Sequence, residues 1–426
     1  MKWRVLPSTL SGAIDVPPSK SHTIRALLIA TLSSGTSKII RPLMSGDGAS
    51  AINAAKSMGA HVDVKGDTLI VTGVGNNYER GADELDMGNS GTSTNLFASA
   101  AALGKRPRRF DGDGSLRLRP VKPLLAALEQ LGAEYRCEAT GRDLPFTIKG
   151  PLRGGSATVS GISSQFVSSL LLSCPLVNRD TTINVVNLHE KPYVEITLWW
   201  LDRLGIRYEK ADDLTRFHIF GGQKYRPIDM SIPADFSSAT FPAVAAAVTG
   251  STLTIRGTDF SDPQGDKKVF DVLEEMGVVL HREERSVVVK GASGFSGGEI
   301  DLNAMPDALP ALAVLGCLAD NTTRIVNVAQ ARIKETDRIA AMTRELKKMG
   351  ARIQEEKDGV TVHHSALRGA HVNGHGDHRV VMALAIAGMA AEGETIIDSA
   401  ESAGVTYPGF LEDFAGLGAK IYKIDE

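Results

Sequence analysis

The stretch MGAHVDV, residues 58–64, decides the fold because its pattern occurs six times along the chain. In every copy a hydrophobic residue precedes a glycine, and residues that favour β-strands follow it. Six glycines occupy the equivalent position: Gly59, Gly132, Gly205, Gly277, Gly350 and Gly418. They lie about 70 residues apart, and such even spacing indicates one repeated structural unit. We expect each glycine to end an amphipathic helix that leads into a strand.

The last copy of the unit is incomplete. The first five copies continue through a short turn into a second strand, as in HVDVKGDTLIVTG, residues 61–73. The sixth copy, LGAKIYKIDE, ends at residue 426 before a second strand. We expect the amino-terminal segment to supply that strand, from either residues 3–6 or residues 13–16. One domain is then built from both ends of the chain.

This arrangement predicts two domains with three repeats each. One comprises residues 1–18 and 235–426, the other comprises residues 19–234, and the crossings lie near residues 16–19 and 224–235. Each repeat also contains a helix that is apolar on nearly every side and should run through a domain interior. Helices that alternate with strands in this way indicate an α/β fold with mixed sheets.

The composition excludes several classes of partner. The 426 residues are 42% hydrophobic and carry a formal net charge of −3, which gives no general attraction to nucleic acid or an anionic membrane. The three cysteines form no CxxC motif, which favours a reduced, cytoplasmic protein. The amino terminus lacks a signal-peptide pattern, and the apolar run at residues 382–391 is too short to span a bilayer.

Cations stand at the starts of predicted helices. Two apolar helices begin at SKSHTIR, residues 19–25, and at GDHR, residues 376–379. Serine and aspartate there are ordinary caps, but Lys20, Arg25 and Arg379 are not. Because a helix N-terminus disfavours a nearby cation by about 0.3–1 kcal/mol, we expect these side chains to bind an anion. Phosphate or carboxylate fits, since helix N–H groups and the arginine fork both bind such groups.

The segment RIKETDR, residues 332–338, leads into another helix with an apolar stripe. We expect Thr336 to cap that helix. Lys334 and Arg338 are then further cations at a helix start, and Arg119 in the segment GSLRLRP is another. The same anion therefore has several candidate ligands along the chain.

Two acids, Asp307 and Glu335, are expected inside this cationic site and are candidates for proton transfer. Five histidines lie close together in sequence: His363, His364, His371, His375 and His378. No tetrahedral ligand spacing accompanies them, so we expect no metal site, and His378 is instead a candidate for the anion site. Phosphate-loop, dinucleotide-binding and nucleophile-elbow motifs are absent from the sequence.

Motifs over nearly the whole chain stand in the order PSKSHTIR, GNSGT, SLRLRP, SSQF, KPY, PDAL, RIKETDR, GDHR and TYPGF. Together they resemble the 5-enolpyruvylshikimate-3-phosphate synthases, the 3-phosphoshikimate 1-carboxyvinyltransferases. The resemblance implies an enolpyruvyl transferase-like fold with two domains of three βαβαββ-type units and an interdomain cleft. It implies transfer of the enolpyruvyl group of phosphoenolpyruvate to the 5-hydroxyl of shikimate 3-phosphate, with loss of phosphate, in aromatic amino acid biosynthesis. It also implies no cofactor or metal and no partner beyond these small molecules, and we expect a monomer.

The resemblance assigns residues to the two substrates. Those implied to contact shikimate 3-phosphate are Lys20, Ser21, Arg25, Ser163, Ser164, Gln165 and Tyr193, with Lys20 also reaching phosphoenolpyruvate. Those implied to bind phosphoenolpyruvate or to shape its pocket are Asn89, Gly91, Thr92, Arg119, Arg338 and Arg379. Lys334 joins Asp307 at the shikimate ring, and Gln330 keeps an amide contact. Asp307 is implied to take the hydroxyl proton, and Glu335 to serve C3 of the enol.

Four positions depart from the familiar pattern. Glu190 replaces a serine that donates to the phosphate, and Gln330 replaces an asparagine. The pair Asn95-Leu96 replaces an arginine and a proline. Val405 replaces a lysine that would bind phosphoenolpyruvate.

Two other functions compete with this one. The enzyme that transfers enolpyruvyl to UDP-N-acetylglucosamine shares the repeats, but it commonly has a cysteine in the loop equivalent to residues 115–120, and this chain has none there. A non-enzymatic repeat protein, such as a ring-forming nucleic-acid clamp, would need a broad basic face. The cations of this chain stand at helix starts instead.

The missing lysine at Val405 predicts weak binding of phosphoenolpyruvate. We expect the variant Val405→Lys to lower the KM for phosphoenolpyruvate, because an ammonium group would add an attraction to the anion. Phosphate release at saturating shikimate 3-phosphate measures this KM. An unchanged KM would mean that another cation already takes the place of the lysine.

Overall fold

A computed structural model of the chain describes residues 1–291 and 294–424. Its backbone contacts divide the chain into two compact units. Unit 1 comprises Met1–Pro17 and Pro233–Glu426, and unit 2 comprises Pro18–Ile232. Within the described ranges, no helix has both the length and the apolar composition that crossing a membrane would need.

Strands and helices alternate along the chain. The strands are β1 Lys2–Leu6, β2 Ser11–Asp15, β3 Thr36–Ile40, β4 His61–Lys65, β5 Thr68–Thr72, β6 Glu84–Asp86, β7 Arg108–Asp111, β8 Glu134–Cys137, β9 Phe146–Lys149, β10 Gly155–Ser160, β11 Thr181–Val186, β12 Tyr208–Lys210, β13 Arg216–Ile219, β14 Asp229–Ser231, β15 Thr252–Arg256, β16 Val279–Arg282, β17 Ser286–Lys290, β18 Glu299–Asp301, β19 Thr323–Val326, β20 Arg352–Glu355, β21 Val360–His363, β22 His371–Asn373, β23 Thr395–Asp398 and β24 Lys420–Ile424. The α-helices are α1 Lys20–Leu32, α2 Gly46–Ser57, α3 Gly91–Ala101, α4 Lys122–Gln130, α5 Ser164–Ser173, α6 Lys191–Arg203, α7 Phe236–Val248, α8 Val269–Glu275, α9 Leu309–Leu318, α10 Arg338–Lys348, α11 His378–Ala390 and α12 Phe410–Gly416. Short 3-10 turns are formed by Leu116–Leu118, Cys174–Leu176, Gly265–Lys268, Pro306–Ala308, Ala329–Ile333 and Ala400–Val405.

Each unit contains sheets of one common design. The strand orders are β14-β3-β5-β4, β6-β7-β9-β8 and β10-β11-β13-β12 in unit 2, and β2-β15-β17-β16, β18-β19-β21-β20 and β22-β23-β1-β24 in unit 1. In every sheet the first two strands pair in parallel. The other strand pairs are antiparallel. The predicted α/β fold with mixed sheets and repeated units is confirmed.

Strand β1 completes the sixth sheet. It pairs antiparallel with both β23 and β24, so that Val5 lies opposite Thr395 on one side and Ile421 on the other. Strand β2 instead pairs in parallel with β15, in the sheet of the fourth repeat. Of the two candidate segments, residues 3–6 therefore supply the missing strand, and residues 13–16 serve another sheet.

The repeat glycines end their helices in a left-handed conformation. Gly350, which follows α10, has a φ of +87°, where a residue with a Cβ would lose about 1–2 kcal/mol. The other five glycines also have positive φ values, so the switch from helix to strand is the same in all six repeats.

Six helices run through the interiors of the units. These are α1, α3 and α5 in unit 2 and α7, α9 and α11 in unit 1. Every residue from Leu309 to Cys317 of α9 is buried, as its uniformly apolar sequence predicts. The amphipathic helix α10 buries Ile339, Met342 and Leu346 on one face.

Helix α10 begins at Arg338, and its N-cap is Asp337. The Asp337 carboxylate accepts a hydrogen bond from the Ala340 amide at 3.0 Å. The expectation that Thr336 caps this helix is therefore wrong by one residue. Both residue types are good caps, and an anion gains additionally from the helix dipole.

We expect loss of the β1 side chains that face the core to destabilise unit 1. Trp3 is 4% exposed and stacks on Phe410 with ring centroids 5.6 Å apart. Trp3→Ala should lower the free energy of unfolding by about 3–5 kcal/mol. Arg4→Ala, on the exposed side of the same strand, should cost less than about 1 kcal/mol. Urea unfolding compares the two variants, and equal losses would contradict the packing described for β1.

Candidate active site

In unit 2, Lys20 is the first residue of α1, and Ser19 caps that helix. The Lys20 Nζ lies 3.6 Å from Oδ2 of Asp47, a buried carboxylate in the first turn of α2. Ser90, which caps α3, donates its hydroxyl to the same carboxylate. Asp47 therefore links the lysine at one helix start to the cap of another.

Arg25 joins three helices through a set of neutral partners. Its Nε donates to Thr197 Oγ1 at 2.8 Å, and its Nη1 donates to the Ser21 carbonyl at 2.9 Å. Its Nη2 donates to the Tyr193 carbonyl at 2.9 Å and to Ser168 Oγ at 3.2 Å. Burial lowers the pKa of Arg25 to about 10, an effect that Tyr193 opposes only in part. Arg25 remains charged at neutral pH, and no carboxylate among the described residues pairs with it.

Arg119 lies across the start of α3. Its Nη1 donates to the Asn89 carbonyl at 3.1 Å, and its Nη2 donates to the Asn89 side-chain oxygen and to Ser115 Oγ. A Cβ at position 91 would lie 3.1 Å from Arg119 Nη1. Any residue larger than glycine would therefore crowd the guanidinium group. The neighbouring Arg117 instead forms a bidentate pair with Asp111, both bonds 2.8 Å long.

The starts of α3 and α5 are connected by amides and hydroxyls. Gln165 donates its Nε2 to Thr92 Oγ1 at 3.2 Å and accepts at Oε1 from the Asn95 amide at 2.7 Å. Ser163 caps α5 by accepting from the Gln165 backbone amide. The sequence-predicted residues Thr92, Ser163 and Gln165 thus lie in one polar network.

Glu190 accepts the hydroxyl of Ser164. The Ser164 Oγ donates to Glu190 Oε2 at 2.9 Å, and both side chains are buried. Glu190 stands directly before α6 with a φ of +54°, which is unusual for a residue other than glycine. A hydroxyl that donates to a carboxylate is not donating to a substrate, so Glu190 competes with any anion for Ser164.

In unit 1, one buried guanidinium group forms ion pairs with three carboxylates. Arg338, 1% exposed, contacts Asp307 at 2.7 Å, Glu335 at 2.6 Å and Asp377 at 2.8 Å. Burial alone would lower the pKa of Arg338, but the carboxylates of Asp377, Glu335 and Asp307 outweigh it and hold that pKa above its ordinary value. Arg338 is therefore charged at neutral pH.

Asp307 lies between two guanidinium groups. Its Oδ1 contacts Arg338, and its Oδ2 contacts Arg379 Nη2 at 2.8 Å. Arg379 Nη2 also donates to Ser237 Oγ at 2.9 Å. Asp307 stands in the turn before α9, and Arg379 lies in the first turn of α11, so two buried helix starts meet at this carboxylate.

The remaining predicted residues of unit 1 lie on adjoining segments. Gln330 donates its Nε2 to the Asn303 carbonyl at 3.2 Å, and Lys334 follows the 3-10 turn that contains Gln330. His378 is the buried first residue of α11. Val405 ends the turn Ala400–Val405. Among the described residues, no group of three or more His, Cys, Asp or Glu side chains has a geometry that could hold a metal ion.

Two site carboxylates were missed from the sequence. Asp47, in the first turn of α2, was not among the predicted site residues, and the aspartate of GDHR, Asp377, was predicted only as a helix cap. Asp377 is indeed the N-cap of α11, accepting from the Arg379 amide at 2.9 Å, but it also binds Arg338. For Asp377 the available signal was its place next to Arg379 at a cationic helix start. Asp47 had no such signal, because the start of α2 carries no cation.

Comparison with known proteins identifies the family. A family model described as EPSP synthase (3-phosphoshikimate 1-carboxyvinyltransferase) matches residues 6–414. The chain belongs to the EPSP synthase family. It is 49% identical to a 3-phosphoshikimate 1-carboxyvinyltransferase of Acetivibrio thermocellus over 421 residues, which cover 99% of both chains. It is 47% identical over 424 residues to the protein of that name from Ruminiclostridium cellulolyticum, covering 100% of both.

A solved structure agrees with the sequence relatives. The EPSP synthase of Acinetobacter baumannii superposes with a TM-score of 0.84 at 25% identity, covering 99% of each chain. The family and the fold that the motifs resembled are thereby confirmed. The UDP-N-acetylglucosamine alternative is not favoured, because the matched family and the named relatives are those of 3-phosphoshikimate 1-carboxyvinyltransferases.

Within the EPSP synthase framework, two of the departing positions contact residues at the start of α5. Asn95 fixes the side-chain amide of Gln165, and Glu190 takes the hydroxyl of Ser164. Both replacements therefore act on residues at the start of α5. They change which protein groups hold those side chains before a substrate arrives.

Removing the guanidinium of Arg338 should be costly to the fold. In Arg338→Met the three carboxylates would lose their common partner, and we expect the free energy of unfolding to fall by about 3–5 kcal/mol. Arg332 is the matched control because it is likewise an arginine with several carboxylate partners. It pairs with Asp337 and Glu355, but its side chain is more exposed than that of Arg338. Arg332→Met should cost less than about 1 kcal/mol. Chemical unfolding of both variants measures the difference, and similar losses would argue against a buried network.

Proposed function

We propose that this chain transfers the enolpyruvyl group of phosphoenolpyruvate to the 5-hydroxyl of shikimate 3-phosphate and releases phosphate. The observation that carries the proposal is the unit 1 cluster, in which Asp307 and Glu335 both contact Arg338 in a chain of this family. Two carboxylates beside fixed guanidinium groups suit a reaction that moves protons next to anions.

The reaction has two steps: the addition takes the proton from the 5-hydroxyl and adds a proton to C3, and the elimination removes a proton from C3 as phosphate leaves with the C2–O bonding electrons. The 5-hydroxyl oxygen bonds to C2 of the enol while C3 gains a proton, which gives a tetrahedral adduct. Phosphate then leaves C2 and C3 loses a proton, which restores the double bond. We assign the hydroxyl proton to Asp307 and the C3 proton to Glu335.

We assign shikimate 3-phosphate to unit 2. The proposed ligands are Lys20, Ser21, Arg25, Ser163, Ser164, Gln165 and Tyr193. The support is electrostatic: Arg25 is a buried cation whose described partners are all neutral, and a substrate anion nearby would offset the cost of its burial. The start of α5 adds backbone N–H groups that favour an anion.

We assign phosphoenolpyruvate to the arginine positions. The proposed ligands are Arg119, Arg338 and Arg379, with Lys20 reaching the same substrate and Asn89, Gly91 and Thr92 shaping its surroundings. Lys334 and Gln330 are proposed at the shikimate ring beside Asp307. Arg338 and Arg379 are paired with Asp307, so an incoming carboxylate or phosphate would share or replace those ion pairs.

We further propose that the protein acts as a cytoplasmic monomer without a metal or organic cofactor. Cys174 and Cys317 are buried thiols, and burial raises the pKa of each to about 12, which keeps them unreactive. This state suits a reducing compartment. Sedimentation at assay concentration tests the monomer.

One assay tests the function. Phosphate release from phosphoenolpyruvate is expected with shikimate 3-phosphate and not with UDP-N-acetylglucosamine. Asp307→Asn and Glu335→Gln should each lower kcat by about 100-fold or more, because each removes a proton-transfer group. Glu355→Gln, a surface carboxylate bound to Arg332, serves as the control and should keep full activity. Release only with UDP-N-acetylglucosamine, or with neither acceptor, would overturn the assignment.

A further inference from the structure

Helix α10 carries a buried carboxylate, Glu345, about two turns after Arg338. The side chain of Glu345 is 0% exposed and accepts three hydrogen bonds. Lys348 Nζ donates to it at 2.6 Å, His375 Nε2 at 2.8 Å and the Asn373 backbone amide at 3.0 Å. Burial raises the pKa of Glu345, but these donors outweigh burial and hold the pKa below its ordinary value. Glu345 is therefore an anion in the folded protein.

Two of those donors belong to the turn that leads into α11. Strand β22 ends at Asn373, whose side-chain oxygen accepts from the His375 amide at 2.6 Å. The Asp377 amide then donates to the Gly374 carbonyl at 2.9 Å, which closes the turn. Residues 373–377 thus form a compact turn whose last residue is the carboxylate bound to Arg338.

Helix α10 holds this turn at both of its ends. Glu345 binds the beginning of the turn through His375 and Asn373, and Arg338 binds its end through Asp377. His375 has a φ of +53°, a conformation that costs a residue other than glycine about 1–2 kcal/mol. The bond from its ring to Glu345 offsets that cost, so the side chain stabilises the shape of the turn.

The position of Asp377 affects Arg338 and Arg379, the two arginines of unit 1 that are proposed to bind substrate. Asp377 contacts Arg338 and caps the helix that carries Arg379. Arg338 and Arg379 both contact Asp307. A displacement of the turn would therefore change the geometry of both guanidinium groups.

From this arrangement we infer that Glu345 and His375 are positioning residues for the binding of phosphoenolpyruvate. They act through Asp377 on Arg338 and Arg379, and they do not contact the substrate. The inference rests on the proposed function, since it concerns the affinity for one of the two substrates. Its signature is a change in one KM rather than in both.

The decisive variant is His375→Asn. Asparagine tolerates the left-handed conformation but is too short to reach Glu345, so the variant removes the bond with little added strain. We expect the KM for phosphoenolpyruvate to rise about tenfold while the KM for shikimate 3-phosphate stays within about twofold. His371→Asn is the matched control: His371 lies on the same turn-forming strand β22 and forms an equivalent 2.8 Å pair with Asp398, but it is 59% exposed. This control should leave both KM values unchanged.

A second variant tests the same contact from α10. Glu345→Gln keeps the volume but offers one acceptor oxygen where three donors converge, so it should raise the same KM. The double variant should raise the KM less than the product of the single effects, because both changes break one contact.

The results separate this inference from the proposed function. Equal increases in both KM values, or a lower melting temperature with unchanged KM values, would mean that the contact is only structural and would overturn the inference. Additive effects in the double variant would also overturn it. A wild-type protein that releases phosphate with neither acceptor would instead remove the proposed function itself.

Discussion

The buried guanidinium of Arg338 is the constraint on which the organisation of unit 1 depends. A charged group this deep is unfavourable by several kcal/mol unless it is paired and fully hydrogen-bonded. Its three carboxylate partners come from three segments: Asp307 before α9, Glu335 before α10 and Asp377 before α11. Satisfying one side chain therefore fixes the relative positions of three helix starts. The residues proposed to bind substrate and move protons are positioned by the same contacts that make the burial possible.

Unit 2 solves the burial of an arginine differently. Arg25 has two carbonyls and two hydroxyls as partners, and its pKa is lowered to about 10 rather than raised. In unit 1 carboxylates neutralise the buried charge of Arg338. Among the described residues, the charge of Arg25 is stabilised only by the dipoles of hydroxyl and carbonyl groups. An anionic substrate gains more from an uncompensated cation than from one that must first release a carboxylate. This contrast favours a substrate anion at Arg25 and acid–base chemistry at Asp307 and Glu335.

Sequence reasoning succeeded where the physical cause is local. A glycine after a helix is required by the left-handed backbone itself, so Gly59 and its five equivalents predicted the helix ends and the strands that follow. The choice between residues 3–6 and 13–16 stayed open because both are short strand-like segments, and their pairing depends on partners about 240 or 390 residues away. Cations at helix starts were identifiable because they oppose the dipole. Their anionic partners were not, because Asp377 and Asp47 are also ordinary helix-start residues.

The start of α7 shows how far capping and site formation overlap. The sequence DFSSA indicates a cap, and Asp235 does accept from the Ser238 amide at 3.0 Å. The same carboxylate accepts the hydroxyl of Ser237, whose oxygen in turn accepts from Arg379. A cap that orients a hydroxyl towards an arginine is also part of that arginine's surroundings. The first backbone N–H groups of each interior helix have no acceptor within the helix. Polar side chains must therefore lie near each helix start to accept from them. In unit 1 the starts of α7, α9 and α11 all reach Arg379 or its partner Asp307, so the fold requires a polar centre there before any substrate is considered.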